Sequence, residues 1–263
     1  VTVQRGTPST PVAVRVEGRT AVLELNRPPA NLIDEAMAVR LHESLSDLDG
    51  RADIDAIVMT GAGDVFCGGA DAQAVRASGR AASFADAVAR LFSLLPRSAT
   101  PVVAAVNGDA LAGGFGLMCA CDVVVVVEGA RLGTNEAAHG AWPMLAQVPA
   151  IRRVPEKAAL TNALTGEPFT TDQALRLGIV DEVVPRERLD ARVRHWAKAV
   201  TAAGSAVATG RPLFYRARDL SYEQAVDEAR QALTRAFGPP PGQGMSRGPA
   251  GGNARRHPPA GSQ

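Results

Sequence analysis

Lysine is nearly missing from this chain, with only Lys157 and Lys198 among 263 residues. Cationic contacts therefore fall to arginine, whose planar guanidinium makes directional, paired bonds. An excess of charge of either sign is missing too, since 28 basic residues stand against 27 acidic ones. Nothing draws the whole chain onto nucleic acid or an anionic membrane. Cysteine is scarce. Cys67, Cys119 and Cys121 are odd in number and set among apolar residues, which suits reduced core thiols and a cytoplasmic setting better than a secreted disulfide framework. The stretch Val1 to Pro11 lacks the apolar segment of a signal peptide. One apolar run raises the membrane question, Ala110 to Val127. Asp122 interrupts it and Gly113, Gly114 and Gly116 weaken it as one continuous helix, so it reads as a buried helix followed by a buried strand.

What is present is enough for one large domain, or one domain with an appendage: 46% of residues are hydrophobic and 21% charged. Val12 to Val16 and Thr20 to Leu25 read as a hairpin. Met37, Leu41, Leu45 and Leu48 form one stripe of a helix, and buried strands are expected at Ala56 to Thr60, Pro101 to Val106 and Val123 to Val127. Ser83 to Asp86 has capping-box spacing ahead of a helix ending near Leu95. Strand and helix alternate, which argues for an α/β domain with crossover helices. Beyond Pro149 the pattern turns helical, at Glu156 to Leu164, Thr171 to Leu177, Arg186 to Val200 and Ser221 to Phe237, with one strand at Ile179 to Val184. The expected organisation is a core over 1–185, a helical region over 186–237 and a tail over 238–263. In that tail 13 of 26 residues are Gly or Pro, a composition that cannot bury a core and reads as disordered.

Several motifs fail. Gly61-Ala62-Gly63 follows a strand as a dinucleotide-binding turn would, but Phe66 stands where the third glycine belongs. Glu136 and His139 have the spacing of half a di-iron motif without a second copy, so no metal site is expected. No P-loop or HExxH occurs.

Three segments remain: Phe66-Cys67-Gly68-Gly69-Ala70-Asp71, then Pro101 to Gly114 with Asn107-Gly108 and Gly113-Gly114, and last Leu132-Gly133-Thr134-Asn135-Glu136. With Leu25-Asn26-Arg27-Pro28 before them and Leu164-Thr165-Gly166-Glu167-Pro168 after, their order and spacing resemble the crotonase (enoyl-CoA hydratase/isomerase) superfamily from about Val12 to Phe237. The resemblance implies a crotonase-like ββα spiral core with a C-terminal helical region, and an acyl-CoA thioester as substrate. It implies no cofactor beyond the coenzyme A that the substrate carries, and a homotrimer or hexamer. It places the two oxyanion donors at the amides of Ala70 and Gly113, the catalytic carboxylate at Glu136, and coenzyme A contacts at Ala30, Ala70, Asp71, Ala72, Gln73 and Gly113.

The chemistry agrees with those residue types. Taking a proton from beside a thioester carbonyl creates an enolate whose oxygen needs fixed donors in a water-poor site. Glycines opening a helix leave free amides at the positive end of its dipole. Glu136, next to Ala137, Ala138 and Trp142, is a carboxylate whose pKa such surroundings raise. The bland alternatives are a packing role for the glycines, a helix cap for Asp71, a buried backbone or arginine partner for Asp122, a core position for Phe115, a structural role for Arg27 and a packed or hydrogen-bonded His139. The chain departs from the hydratases at Gly116, which occupies the position of their other glutamate. A single carboxylate suits double-bond isomerisation, one base taking a proton and returning it elsewhere. Alternatives are hydration or decarboxylation with Glu136 alone, or a catalytically silent acyl-CoA-binding subunit. Gly116→Glu is expected to favour hydration.

Overall fold

The computed structural model describes residues 10–237, so the 238–263 tail and most of the leading segment lie outside the described residues. Strands β1 (Val12–Glu17) and β2 (Thr20–Leu25) form the expected hairpin. Helix α1 (Glu35–Leu48) starts where the Asp34 carboxylate accepts a hydrogen bond from Met37 N at 2.8 Å. Its Met37, Leu41, Leu45 and Leu48 stripe is buried, each side chain contributing about 1.5–3 kcal/mol. Then follow β3 (Ala56–Gly61), β4 (Val65–Cys67), α2 (Ala72–Ser78), α3 (Ala81–Leu94), β5 (Val102–Val106), β6 (Asp109–Leu111), α4 (Gly113–Ala120), β7 (Val123–Val127) and β8 (Leu132–Gly133). The helical remainder comprises α5 (Gln147–Ala150), α6 (Glu156–Thr165), α7 (Thr171–Arg176), α8 (Leu189–Ala199), α9 (Ser205–Ala217) and α10 (Tyr222–Phe237), with β9 (Glu182–Val184) among them.

Six strands make the main sheet in the order β1-β2-β3-β5-β7-β9, parallel except for the β1-β2 hairpin. Every residue of β5 and β7 is buried, as the unbroken valine and alanine runs require of strands covered on both faces. A second sheet, order β4-β6-β8, is parallel throughout.

Two expectations are corrected. Ser83 does not cap α3, which begins at Ala81; its hydroxyl is instead donated to Glu35 Oε1 at 2.6 Å. Tertiary pairing has taken the group that a local cap would use. Helix α9 was not expected at all, because Gly210 and Pro212 lie inside it and lower its helical propensity. The capping box at Ser221 is present, with Gln224 N donating to Ser221 Oγ at 3.3 Å and Ser221 N donating to Gln224 Oε1 at 3.0 Å. The three cysteines are buried and unpaired, and burial pushes the Cys67 and Cys121 thiols up to about 12. Among the described residues no helix is long and apolar enough to cross a membrane.

Candidate active site

Three short strands position the site. Because β4, β6 and β8 run parallel as neighbours, their carboxyl ends open on the same edge, about 4.8 Å from strand to strand. Ala70 follows the last residue of β4 by three positions, Gly113 follows that of β6 by two, and Glu136 follows that of β8 by three. The β6 and β8 exits are tied directly, Ala112 N donating to Gly133 O at 2.9 Å. This arrangement matches the rule that ligands collect outside the carboxyl ends of parallel strands.

The Ala70 and Gly113 loops touch. A Cβ on Gly113 would lie 3.7 Å from the Ala70 nitrogen, and one on Gly69 would lie 3.2 Å from the Gly113 nitrogen and only 2.5 Å from Ala112 Cβ. Gly69 also has φ +102°, so glycine is required there on both counts. Ala112 carries φ 50° and ψ −123°, a strained backbone of the kind that persists where the surroundings over-determine it. Gly113 is the first residue of α4, where an amide has no partner within the helix. Among the described residues neither Ala70 N–H nor Gly113 N–H is donated to a protein acceptor. A side chain on Gly114 would lie 2.2 Å from Cys67 O, so α4 can press on β4 only as glycine.

Glu136 opens a one-turn 3-10 helix (Glu136–His139). Its Oε2 is buried with no hydrogen-bond partner. Desolvation holds its pKa above the ordinary value of 4.5, opposed by backbone hydrogen bonds and by His139. His139 itself is exposed, and among the described residues its side chain makes no hydrogen bond, which corrects the expectation of a packed or hydrogen-bonded histidine.

At Gly116 the structure explains the missing carboxylate. A Cβ there would meet Ala146 Cα at 2.9 Å, Ala146 O at 3.0 Å and Phe92 Cζ at 3.2 Å. The space for a side chain is filled by backbone, so the expectation that Gly116→Glu favours hydration is withdrawn.

The remaining positions divide. Asp71 caps α2, accepting from Ala74 N at 2.9 Å, and pairs with Arg27 Nη2 at 3.1 Å. Arg27 also contacts Asp34 at 3.3 Å and donates to Leu32 O, so its guanidinium is held by the loop in a structural role. Ala30 adjoins the Ala70 loop, its carbonyl accepting from Gly68 N at 2.8 Å. Ala70, Ala72 and Gln73 are exposed beside it. Phe115 is fully buried, its ring 6.2 Å from that of Phe169, and belongs to the core. Asp122 accepts from Val102 N, Arg211 Nε and Tyr215 Oη, the arginine and backbone role expected of it. Two buried asparagines, Asn31 and Asn107, have structural roles that the sequence does not assign. Asn31 donates to Ala62 O and Val65 O, and Asn107 donates to Gly61 O and Gly63 O, so both brace the turn leading into β4. Their signal was a polar residue in an otherwise apolar setting.

The spiral of a parallel main sheet, a small second sheet and a helical end defines a crotonase-type fold, similar to a solved enoyl-CoA hydratase of Mycobacterium smegmatis with a TM-score of 0.83 at 30% identity, over 88% of this chain and 92% of that one. The enoyl-CoA hydratase/isomerase family model matches residues 15–238, and the chain belongs to that family. An enoyl-CoA hydratase of Mycobacterium tuberculosis is 32% identical over 73% of this chain and 74% of its own length. The 2,3-dehydroadipyl-CoA hydratase of Escherichia coli is 30% identical over 82% of this chain and 86% of its own length.

Proposed function

We propose that this chain isomerises enoyl-CoA thioesters, moving a double bond from the 3 to the 2 position. The Ala70 and Gly113 amides hold the thioester oxygen as charge develops on it. The Glu136 carboxylate takes a proton from C2, leaving a dienolate, and returns that proton to C4, so the glutamate ends as it began. A pKa raised by burial serves both halves, since the group must accept and release the proton near neutral pH. Coenzyme A contacts fall to the Ala30 and Ala70 to Gln73 loops, and no further cofactor is required.

The observation that carries this reading is the backbone of Ala146 against Gly116: it leaves one carboxylate where water addition would call for two around one water. The names of the relatives favour hydration as a second reading, with Glu136 acting alone. The test offers both 3-enoyl-CoA and 2-enoyl-CoA to the protein and to Glu136→Gln. Isomerisation is expected, with the variant slower by about 100-fold or more; isomerase activity surviving the substitution would contradict the role of Glu136, and hydration without isomerisation would select the second reading. Exposed Ile151, Leu160 and Leu164 support self-association into a trimer or hexamer, which light scattering on the purified protein checks.

A further inference from the structure

Glu136 poses a problem of confinement. One of its carboxylate oxygens is buried without a partner, and a glutamate on a single 3-10 turn ordinarily relieves that cost by swinging into water. Helix α6 grips the segment on either side of it. Upstream, the Asn162 carboxamide is spent entirely on this segment and the following loop: Oδ1 accepts from Thr134 N at 2.9 Å and Thr134 Oγ1 at 2.7 Å, while Nδ2 donates to Thr134 O at 3.0 Å and to Glu167 O at 2.8 Å. Asn162 is 4% exposed, and its Nδ2 lies 2.9 Å from where a Cβ on Gly133 would sit. Downstream, Gly166 ends α6 with φ +68°, and a Cβ there would lie 2.6 Å from Ala138 N. Thr134 and Ala138 flank Glu136 by two residues each, and Asn162 and Gly166 are about one helical turn apart.

We propose that Asn162 is a positioning residue that keeps the Glu136 carboxylate turned into the site. This rests on the assignment of Glu136 as the proton carrier. Asparagine competes with helix backbone and is unfavourable inside a helix; here the carboxamide instead holds the strand exit that carries the acid. The charged groups near that acid are few. His139 shares its turn and acts on it, and Glu156, Lys157 and Glu167, on α6 and just after it, are exposed.

The test measures kcat, KM and the pH dependence of isomerisation for Asn162→Ala and Thr134→Val. The first substitution removes all four bonds and the second only the hydroxyl bond. For Asn162→Ala, kcat is expected to fall by about 100-fold, the scale of a misplaced catalytic group, with KM within about threefold. As the acid escapes to water, the rise of activity with pH should also shift down toward 4.5, the ordinary glutamate value. Thr134→Val should move both quantities the same way by less. An unchanged pH profile in a folded Asn162→Ala protein assigns Asn162 to stability alone and overturns the proposal. If that variant does not fold, Thr134→Val decides, and an unchanged kcat and profile overturn it equally. Activity retained by Glu136→Gln overturns the assignment of Glu136 itself, and this proposal with it.

Discussion

Glu136 sits where charge is unfavourable. With its pKa above the ordinary 4.5, the folded chain holds this proton more tightly than the unfolded chain. Stability from this group is therefore fully present below about pH 4.5 and declines as pH rises through the folded value. Glu136→Gln, which cannot ionise, should show no such decline. Thermal melts of the two proteins should converge near pH 4 and separate toward neutral pH, with the variant melting higher by about 2–4 °C if the difference reaches about 1 kcal/mol; equal midpoints throughout would place the acid in water. The residue was legible in the sequence as an acid after Leu132-Gly133-Thr134-Asn135, beside alanines. Asn162 was not, because a lone asparagine in a helical run looks the same whether it faces solvent or, as here, a neighbouring strand exit.

Among elements, the smallest lead into the candidate site residues. Strands β4, β6 and β8 have three, three and two residues, too short to show an alternation, and each runs into glycine or strained backbone. The second sheet was therefore illegible, while α1, β5 and β7 were plain from a helical stripe and from unbroken buried runs. The carboxyl ends of these strands stay together only if α4 lies close on β4. Gly114→Ala, which brings a Cβ to 2.2 Å from Cys67 O, should destabilise by about 1–3 kcal/mol or more through overpacking and should reduce isomerisation in the fraction that folds. Chemical denaturation checks the first and turnover per folded molecule the second. Gly116→Glu should likewise destabilise, by displacing Ala146, without yielding a hydratase; efficient hydration by that variant would mean that the 143–150 segment moves aside.

At the scale of the molecule, helix α9 is tied to the sheet core through a largely buried ionic cluster. Asp122 follows α4 and opens β7, and it receives Arg211 Nε at 2.8 Å and Tyr215 Oη at 2.7 Å from α9. The side chains of Arg211 and Asp122 are 6% and 18% exposed. Burial and the neighbouring aspartate push the Tyr215 phenol up to about 12, so it stays a donor across the working range. Asp122→Ala leaves the buried guanidinium without its carboxylate, with only Ser98 O still accepting from it, and should cost about 3–5 kcal/mol, read as a lower urea midpoint. No pattern in the sequence linked residue 122 to residue 211; only the folded chain brings them together.

The same long-range assembly puts the Ala70 and Gly113 loops in contact, and solvent-deuterium exchange at the α carbon of a saturated acyl-CoA tests most directly the proposal that their amides and Glu136 act on one substrate. Such a substrate forms the enolate but cannot isomerise. The wild-type protein should exchange. Gly113→Ala, whose Cβ meets only ordinary contacts at 3.7 Å, should exchange within about tenfold of it. Gly113→Pro removes the amide hydrogen at a helix position that tolerates proline and should be slower by about 100- to 1,000-fold, as when one oxyanion donor is lost. No exchange by the wild type, or equal exchange by the proline variant, would contradict the account.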